Sequence, residues 1–241
     1  MEGYARRGVH GQTVEVIAHR VLSGRIGEGD TLDLAALQAE LGVSLTVLRE
    51  SLKVLAAKGM VDARQKRGTF VRPRADWLLL DRDVLRWQFE SAEPVAPGAP
   101  NPLLHDLGEV RAIVEPAAVR LAAERRTQGD IDALESALDA MGRAVGGGAD
   151  AVLADLAFHR ALLAASHNEL LERMEMVISS GLAVRDRLVH GAESPAGPGD
   201  PVPSHRAVLD AVRAQDADAA ESAMRRLLDQ AVRDLGKVRG R

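Results

Sequence analysis

The 241-residue chain is 46% hydrophobic and 27% charged, the balance of two ordinary soluble globular domains and not of a disordered or membrane chain. Charged residues interrupt every apolar stretch well before the ~20 residues of a membrane span, and no secretory core opens the chain, so a cytoplasmic protein without a membrane partner is expected. There is no cysteine, which excludes disulfides, thiolate metal sites and cysteine nucleophiles and leaves any metal to His and carboxylate ligands.

The net charge of −4 is unevenly spread. Residues 1–75 carry 12 Lys+Arg against 8 Asp+Glu, whereas the remainder carries 19 against 27. A basic head on an acidic body suits a protein that offers one end to phosphates.

In chain order, Gln12 to Ser23 places Val14, Ile17, Ala18 and Val21 on one helical stripe that Gly24 and Gly27 end. A short helix is expected over Asp33 to Leu41, with Gly42 in the turn and Ser44 capping a third helix that runs to Lys58 and closes at Gly59. Met60 to Arg64 and Thr69 to Arg72 read as strands around a basic hairpin tip, Gln65-Lys66-Arg67-Gly68. Pro/Gly-rich stretches follow at 91–102 and 191–203. Helices are expected near 80–90, 103–126, 130–143, 150–166, 169–190, 204–214 and 216–236, with Pro116 kinking the longest. The fold class is mainly α: a winged helix-turn-helix over residues 1–75, a linker helix and Pro-rich loop over 76–102, and an antiparallel all-α bundle over 103–241.

Helix, tight turn and helix set a second helix into the DNA major groove. In the third helix Val47, Leu48, Leu52 and Leu55 supply the core stripe, leaving Thr46, Arg49 and Lys53 for double-stranded DNA. Arg49 has the fork to read guanine, and Lys53 suits a phosphate. At the wing tip Lys66, Arg67 and Gly68 complete the candidate DNA-binding set. A solvated helix face would carry the same charges, but the basic hairpin just downstream favours DNA.

Residues 12–73 resemble the N-terminal domain of GntR-type bacterial regulators. The resemblance lies in Leu41-Gly-Val-Ser-Leu-Thr-Val-Leu-Arg-Glu-Ser-Leu-Lys-Val-Leu-Ala-Ala-Lys-Gly-Met-Val61 and in Arg67-Gly-Thr-Phe-Val71. Similar domains have a basic residue where this chain has Leu45, and often another near Ala35. The resemblance therefore implies the docking mode but not the usual operator sequence; Leu45 suits a thymine methyl or weakens binding.

Residues 103–236 resemble the FCD-type helical effector domain of the FadR subgroup. The matching runs are Leu107-Gly-Glu-Val-Arg-Ala-Ile-Val-Glu-Pro-Ala-Ala-Val-Arg-Leu-Ala-Ala123, Asp155-Leu-Ala-Phe-His-Arg-Ala-Leu-Leu-Ala-Ala-Ser-His-Asn168 and Ser204-His-Arg-Ala-Val-Leu-Asp-Ala-Val212. The segment Trp77 to Trp87 is similar to the linker of members that respond to sugar acids. Asp155 and His159, four apart, project from one helix face, an arrangement much commoner in structural roles than in metal sites. The resemblance assigns them, with His205, as ligands of a divalent metal such as Zn²⁺. The usual fourth ligand is a histidine 22 residues beyond His205, where this chain has Leu227.

Three arrangements remain open: an Asp/His/His site completed by water or effector oxygens, a metal-free cluster of hydrogen-bonding groups, or a ligand recruited elsewhere. The resemblance also implies that Arg111 binds an effector carboxylate, against a surface pair with Glu115 four residues on. Arg185 is a second effector-binding candidate. Asn168 is a third, or else a helix cap.

The reading that follows is a homodimeric, ligand-responsive transcription regulator, a repressor of a metabolic operon. It binds a near-palindromic operator and responds to a small carboxylate such as a sugar acid. The alternative is a metal-dependent enzyme with an appended DNA-binding domain, for which His167 or Glu169 would be the general base. A third reading makes the helical domain a dimerisation module without ligand.

Overall fold

A computed structural model describes residues 8–91, 102–144, 149–191 and 200–239, with side chains for all of these except 182–191 and 234–239. The chain divides into two compact units, residues 1–93 and 94–241.

In the first unit α1 (Val9–Leu22) buries Val14, Ile17, Ala18 and Val21, the stripe its sequence spacing requires. It begins one turn before the expected start. Asp33 caps α2 (Leu34–Leu41) by accepting from the Ala35 and Ala36 amides, and Gly42 ends the helix at φ 63°, the left-handed conformation that glycine adopts without strain. Ser44 then caps α3 (Leu45–Ala57) through the Val47 amide, so α2, turn and α3 form the expected helix-turn-helix.

Strands β1 (Val61–Arg64) and β2 (Gly68–Val71) pair antiparallel in the register Val61 with Val71 and Arg64 with Gly68. Thr31 adds a single bridge to Phe70 on the open side of β2.

The stretch read as a linker contributes to this same core. Helix α4 (Arg82–Ser91) and the preceding turn place Trp77, Val84 and Trp87 among Leu48, Leu55, Met60 and Val71. A buried lysine fastens this segment to the end of α3: Lys58 Nζ lies 2.7 Å from Asp81 and 2.8 Å from Asp83. Burial pushes the Lys58 ammonium down, but the two carboxylates outweigh it and raise it above its ordinary value. Gly59 permits the approach. Its φ is +74°, and a Cβ there would stand 2.3 Å from the Asp76 carbonyl oxygen.

The second unit is all-helical: α5 (Pro102–Arg125), α6 (Gln128–Arg143), α7 (Ala149–Ala165), α8 (Glu169–Gly191), α9 (Val202–Arg213) and α10 (Ala217–Arg239). Helix α5 runs through Pro116 without interruption. A capping box between Thr127 and Asp130 opens α6. Helix α7 packs against α5, α6 and α8, while α10 packs against α5 and α9. The shared core includes Val119, Leu134, Leu138, Phe158, Leu162, Val208, Leu209 and Met224. Each such large side chain contributes ~1.5–3 kcal/mol by leaving water, which fixes the inward faces of α5, α7 and α9. Those faces carry the polar groups described next. Among the described residues, no helix is long and apolar enough to cross a membrane.

Candidate functional site

In the first unit, α3 turns Leu48, Ser51, Leu52 and Leu55 inward and leaves Thr46, Arg49 and Lys53 in solvent. Val47, assigned to the core stripe, is only half-buried, and Ser51 takes a buried place that its polarity disguised. Ser51 is satisfied by its own helix, donating to the Val47 carbonyl at 2.9 Å. Lys53 donates to Glu50 at 2.8 Å, an exposed pair that holds the Glu50 carboxyl below its ordinary value. Leu45 is exposed at the first position of α3.

At the wing tip Lys66, inside the turn that the Arg67 amide closes on the Arg64 carbonyl, takes φ 69°, and Gly68, where β2 begins, takes φ 81°, so both are left-handed. Arg67 is less free than its position suggested. Its guanidinium stacks 3.6 Å over the Phe70 ring and donates to the Gly29 carbonyl at 3.0 Å. This fixes the charge over the wing before any partner arrives.

In the second unit α7 and α9 bring Asp155, His159 and His205 together, all buried, with one ligand atom from each within 4.8 Å of the others. His205 donates from Nδ1 to the Pro201 carbonyl at 2.8 Å, since a carbonyl only accepts. Its Nε2 faces Asp155 Oδ1 at 2.9 Å, buried and with no hydrogen bond. In a neutral ring that nitrogen carries the lone pair, and a proton or a metal ion between the two electron-rich atoms relieves their repulsion. His159 Nε2 lies 3.8 Å from the same Asp155 oxygen. Two imidazoles and a carboxylate are a donor set that fits a borderline divalent ion such as Zn²⁺. Phe158 packs edge-on against both rings, 6.1 Å from His159 and 4.9 Å from His205 between centroids.

Leu227 lies in the apolar core of this unit and offers no donor. Among the described residues, Asp155, His159 and His205 are the three that bring ligand atoms together here.

Arg111 and Glu115 do pair, but in the interior and not at the surface: Arg111 is 4% exposed and Glu115 0%. The Arg111 Nε donates to Glu115 Oε1 at 2.5 Å. The other carboxylate oxygen lies 2.9 Å from His159 Nδ1, although the ring is turned off the ideal hydrogen-bond angle. Burial alone would raise the Glu115 carboxyl, yet the Arg111 guanidinium and the His159 ring hold it down at about 2. The pair therefore belongs to the same buried cluster as the metal-type ligands. Sequence spacing missed Glu115 as a member, although it lies on the stripe Leu104, Leu107, Arg111, Glu115, Ala118 and Ala122 that α5 buries.

Other candidates fall elsewhere. Asn168 accepts from the Leu170 and Leu171 amides, which makes it the cap of α8. The Arg185 side chain lies outside the described residues. His167 bonds Asp130 at 2.9 Å, and Glu169 forms an exposed pair with Arg173, so the two nominated general bases have surface partners of their own.

A winged helix-turn-helix joined to an all-helical unit with a buried cluster of carboxylates, imidazoles and a guanidinium fits one class of DNA-binding regulator. Comparison with known proteins agrees. Residues 10–71 match the model of bacterial regulatory proteins of the gntR family, and residues 106–230 match the FCD domain. The chain is 34% identical over 230 residues to the galactonate operon transcriptional repressor of Escherichia coli K12, covering 93% of this chain and 96% of that one. It is 32% identical to the Bacillus subtilis regulator LutR over 66% of this chain and 69% of that one. A solved structure of Lar, which controls expression of the Listeria monocytogenes agr system, superposes with a TM-score of 0.62 at 14% identity, covering 97% of this chain and 99% of that one; at this identity the likeness is one of fold. The chain belongs to the GntR family of transcription regulators and carries an FCD domain in its second unit.

Proposed function

We propose that this regulator is a homodimeric repressor, acting in the cytoplasm, whose effector is a small hydroxy-carboxylate of the sugar-acid class bound beside a divalent metal held by Asp155, His159 and His205. The observation that carries this reading is the buried juxtaposition of two imidazole Nε2 atoms, the Asp155 carboxylate and the Arg111 guanidinium. A three-ligand centre leaves coordination positions for hydroxyl and carboxylate oxygens, and the planar fork of Arg111 suits a carboxylate. The relative named for a galactonate operon makes aldonates the first class to try.

The DNA-reading surface is Thr46, Arg49 and Lys53 on α3 with Lys66, Arg67 and Gly68 at the wing. Two such heads on half-sites about one helical turn apart imply a near-palindromic operator. If effector weakens DNA binding, DNA must weaken effector binding by the same factor.

The test is thermal unfolding of the full chain against a panel of aldonates, hydroxy acids and divalent metals, followed by anisotropy on operator DNA taken from the adjoining intergenic region. An acid at a hundred times its dissociation constant adds about 2.7 kcal/mol and raises the midpoint. The expected result is one aldonate that stabilises only with metal present and releases DNA. Midpoints that no acid and no metal moves would remove the effector reading and leave the DNA-binding assignment intact.

A further inference from the structure

The Arg111 guanidinium stands at the lone pair that a metal ion would use. One of its terminal nitrogens lies 3.3 Å from His159 Nε2, while its Nε is held by Glu115. Glu115 Oε2 lies 2.9 Å from Nδ1 of the same ring and 3.5 Å from that terminal nitrogen, so carboxylate and guanidinium approach the ring together. A guanidinium only donates, so the Nε2 that accepts from it carries the lone pair of the ring. That lone pair faces Asp155 Oδ1 at 3.8 Å and is one of the three donors of the cluster. One donor of the metal-type set is therefore already engaged by a cation belonging to the protein.

We propose that Arg111 is a built-in competitor for the metal: its terminal nitrogen and a divalent ion exclude one another at His159 Nε2, and the displaced nitrogen becomes the hydrogen-bond donor for the effector carboxylate. The inference deepens the metal and effector reading above and rests on it. Glu115 accepts from Nε at 2.5 Å and from the same terminal nitrogen at 3.5 Å, and so keeps the guanidinium within reach of the site when His159 Nε2 is given up.

Two consequences follow from the charges. A divalent ion next to a buried guanidinium is repelled, so the ion alone binds weakly, and an acid whose carboxylate lies between them relieves the repulsion. Metal and acid then bind cooperatively, each tightening the other by one shared factor.

The experiment is Co²⁺ binding to the full chain, measured by competition with a chelating dye, for wild type, Arg111→Lys and Arg111→Met. Lysine keeps a positive charge for Glu115 but has no fork to span Glu115 and His159 together. Loss of a competing hydrogen bond of ordinary strength gives about tenfold tighter Co²⁺ binding in both variants. If Arg111 only supports the site, Co²⁺ binding weakens or stays the same, and the inference is overturned. Wild type that takes up no Co²⁺ overturns the metal reading itself, and this inference with it. Should the variants not fold by circular dichroism, the wild type decides: Zn²⁺ added to protein labelled with ¹⁵N-arginine must shift the Arg111 terminal nitrogen signals more than its Nε signal. Terminal signals that Zn²⁺ leaves in place overturn the proposal.

Discussion

The two units hold their functional charges in opposite ways. On α3 the Lys53 side chain is 73% exposed and Arg49 stands in solvent beside it, whereas Arg111 and Glu115 in α5 are sealed in the interior. An exposed cation needs no partner inside the protein, because water solvates it until a phosphate or base arrives. A buried cation must be satisfied by the fold itself, and the fold thereby aims it. The first arrangement suits a large polyanion met at a surface. The second suits a small acid that must be recognised in a fixed orientation, and it ties recognition to stability in a way the first does not.

The contrast breaks most visibly, if it breaks, at Arg111. Arg111→Ala leaves the Glu115 charge buried without its main partner and should cost about 3–5 kcal/mol of folding free energy, read as a lower urea midpoint at unchanged slope. Arg49→Ala should stay within about 0.5 kcal/mol of wild type in the same assay. Equal midpoints for the two variants would mean that the interior pair carries no more strain than a surface charge.

Acid provides the next test. The Glu115 carboxyl is held at about 2 in the folded protein against 4.5 for an unperturbed glutamate. A depressed carboxyl contributes stability that is fully present above its unfolded value and is lost as pH falls from about 4.5 towards 2, a loss on the order of 3 kcal/mol. Unfolding free energies measured across that window should fall for wild type more steeply than for Glu115→Gln, which has no proton to take up there. Parallel curves would locate the acid sensitivity elsewhere.

How far each unit was legible in the sequence follows from the same contrast. Helix-turn-helix geometry is written in local chemistry: Asp33 and Ser44 as caps, Gly42 in the turn, and apolar spacing along α3 act within a few residues of where they stand. The pairing of Asp155 with His159 is local too, one helical turn apart. His205 reached the cluster only through resemblance, because 46 residues of chain separate it from His159 and no periodicity reports that approach. Glu115 enters the sequence reading only as the surface alternative for Arg111, because an i,i+4 Arg–Glu pair looks the same at a surface or in a core; the helical phase of α5, which puts both on the buried stripe, is the available signal. Lys58 was hidden for a similar reason. A lysine before a glycine looks like a helix end, and only the fold brings Asp81 and Asp83 to it.

Smaller effects belong to the exposed side of the comparison and should appear in DNA binding alone. Arg49→Ala should lose about 1–3 kcal/mol of discrimination at one operator position, seen as relaxed base preference there in a binding selection, if the arginine reads a base edge. A uniform loss across all positions would reassign it to phosphate.

Lys53 makes the finest distinction. In the free protein its ammonium is engaged with Glu50, an exposed i,i+3 pair that water and salt screen. DNA has only to outcompete that weak contact, so Lys53→Ala should leave the thermal midpoint nearly unmoved. It should weaken all DNA sequences alike and lower the slope of log affinity against log salt by about 0.9, the signature of one phosphate contact. Glu50→Gln sharpens the point further: it releases Lys53 and removes a negative charge from the reading face, so DNA binding should tighten slightly while Lys53→Ala loosens it. If Glu50→Gln weakens binding, the Glu50–Lys53 pair is not an idle surface contact but positions Lys53, and the exposed face of α3 is prearranged in the way the buried cluster is.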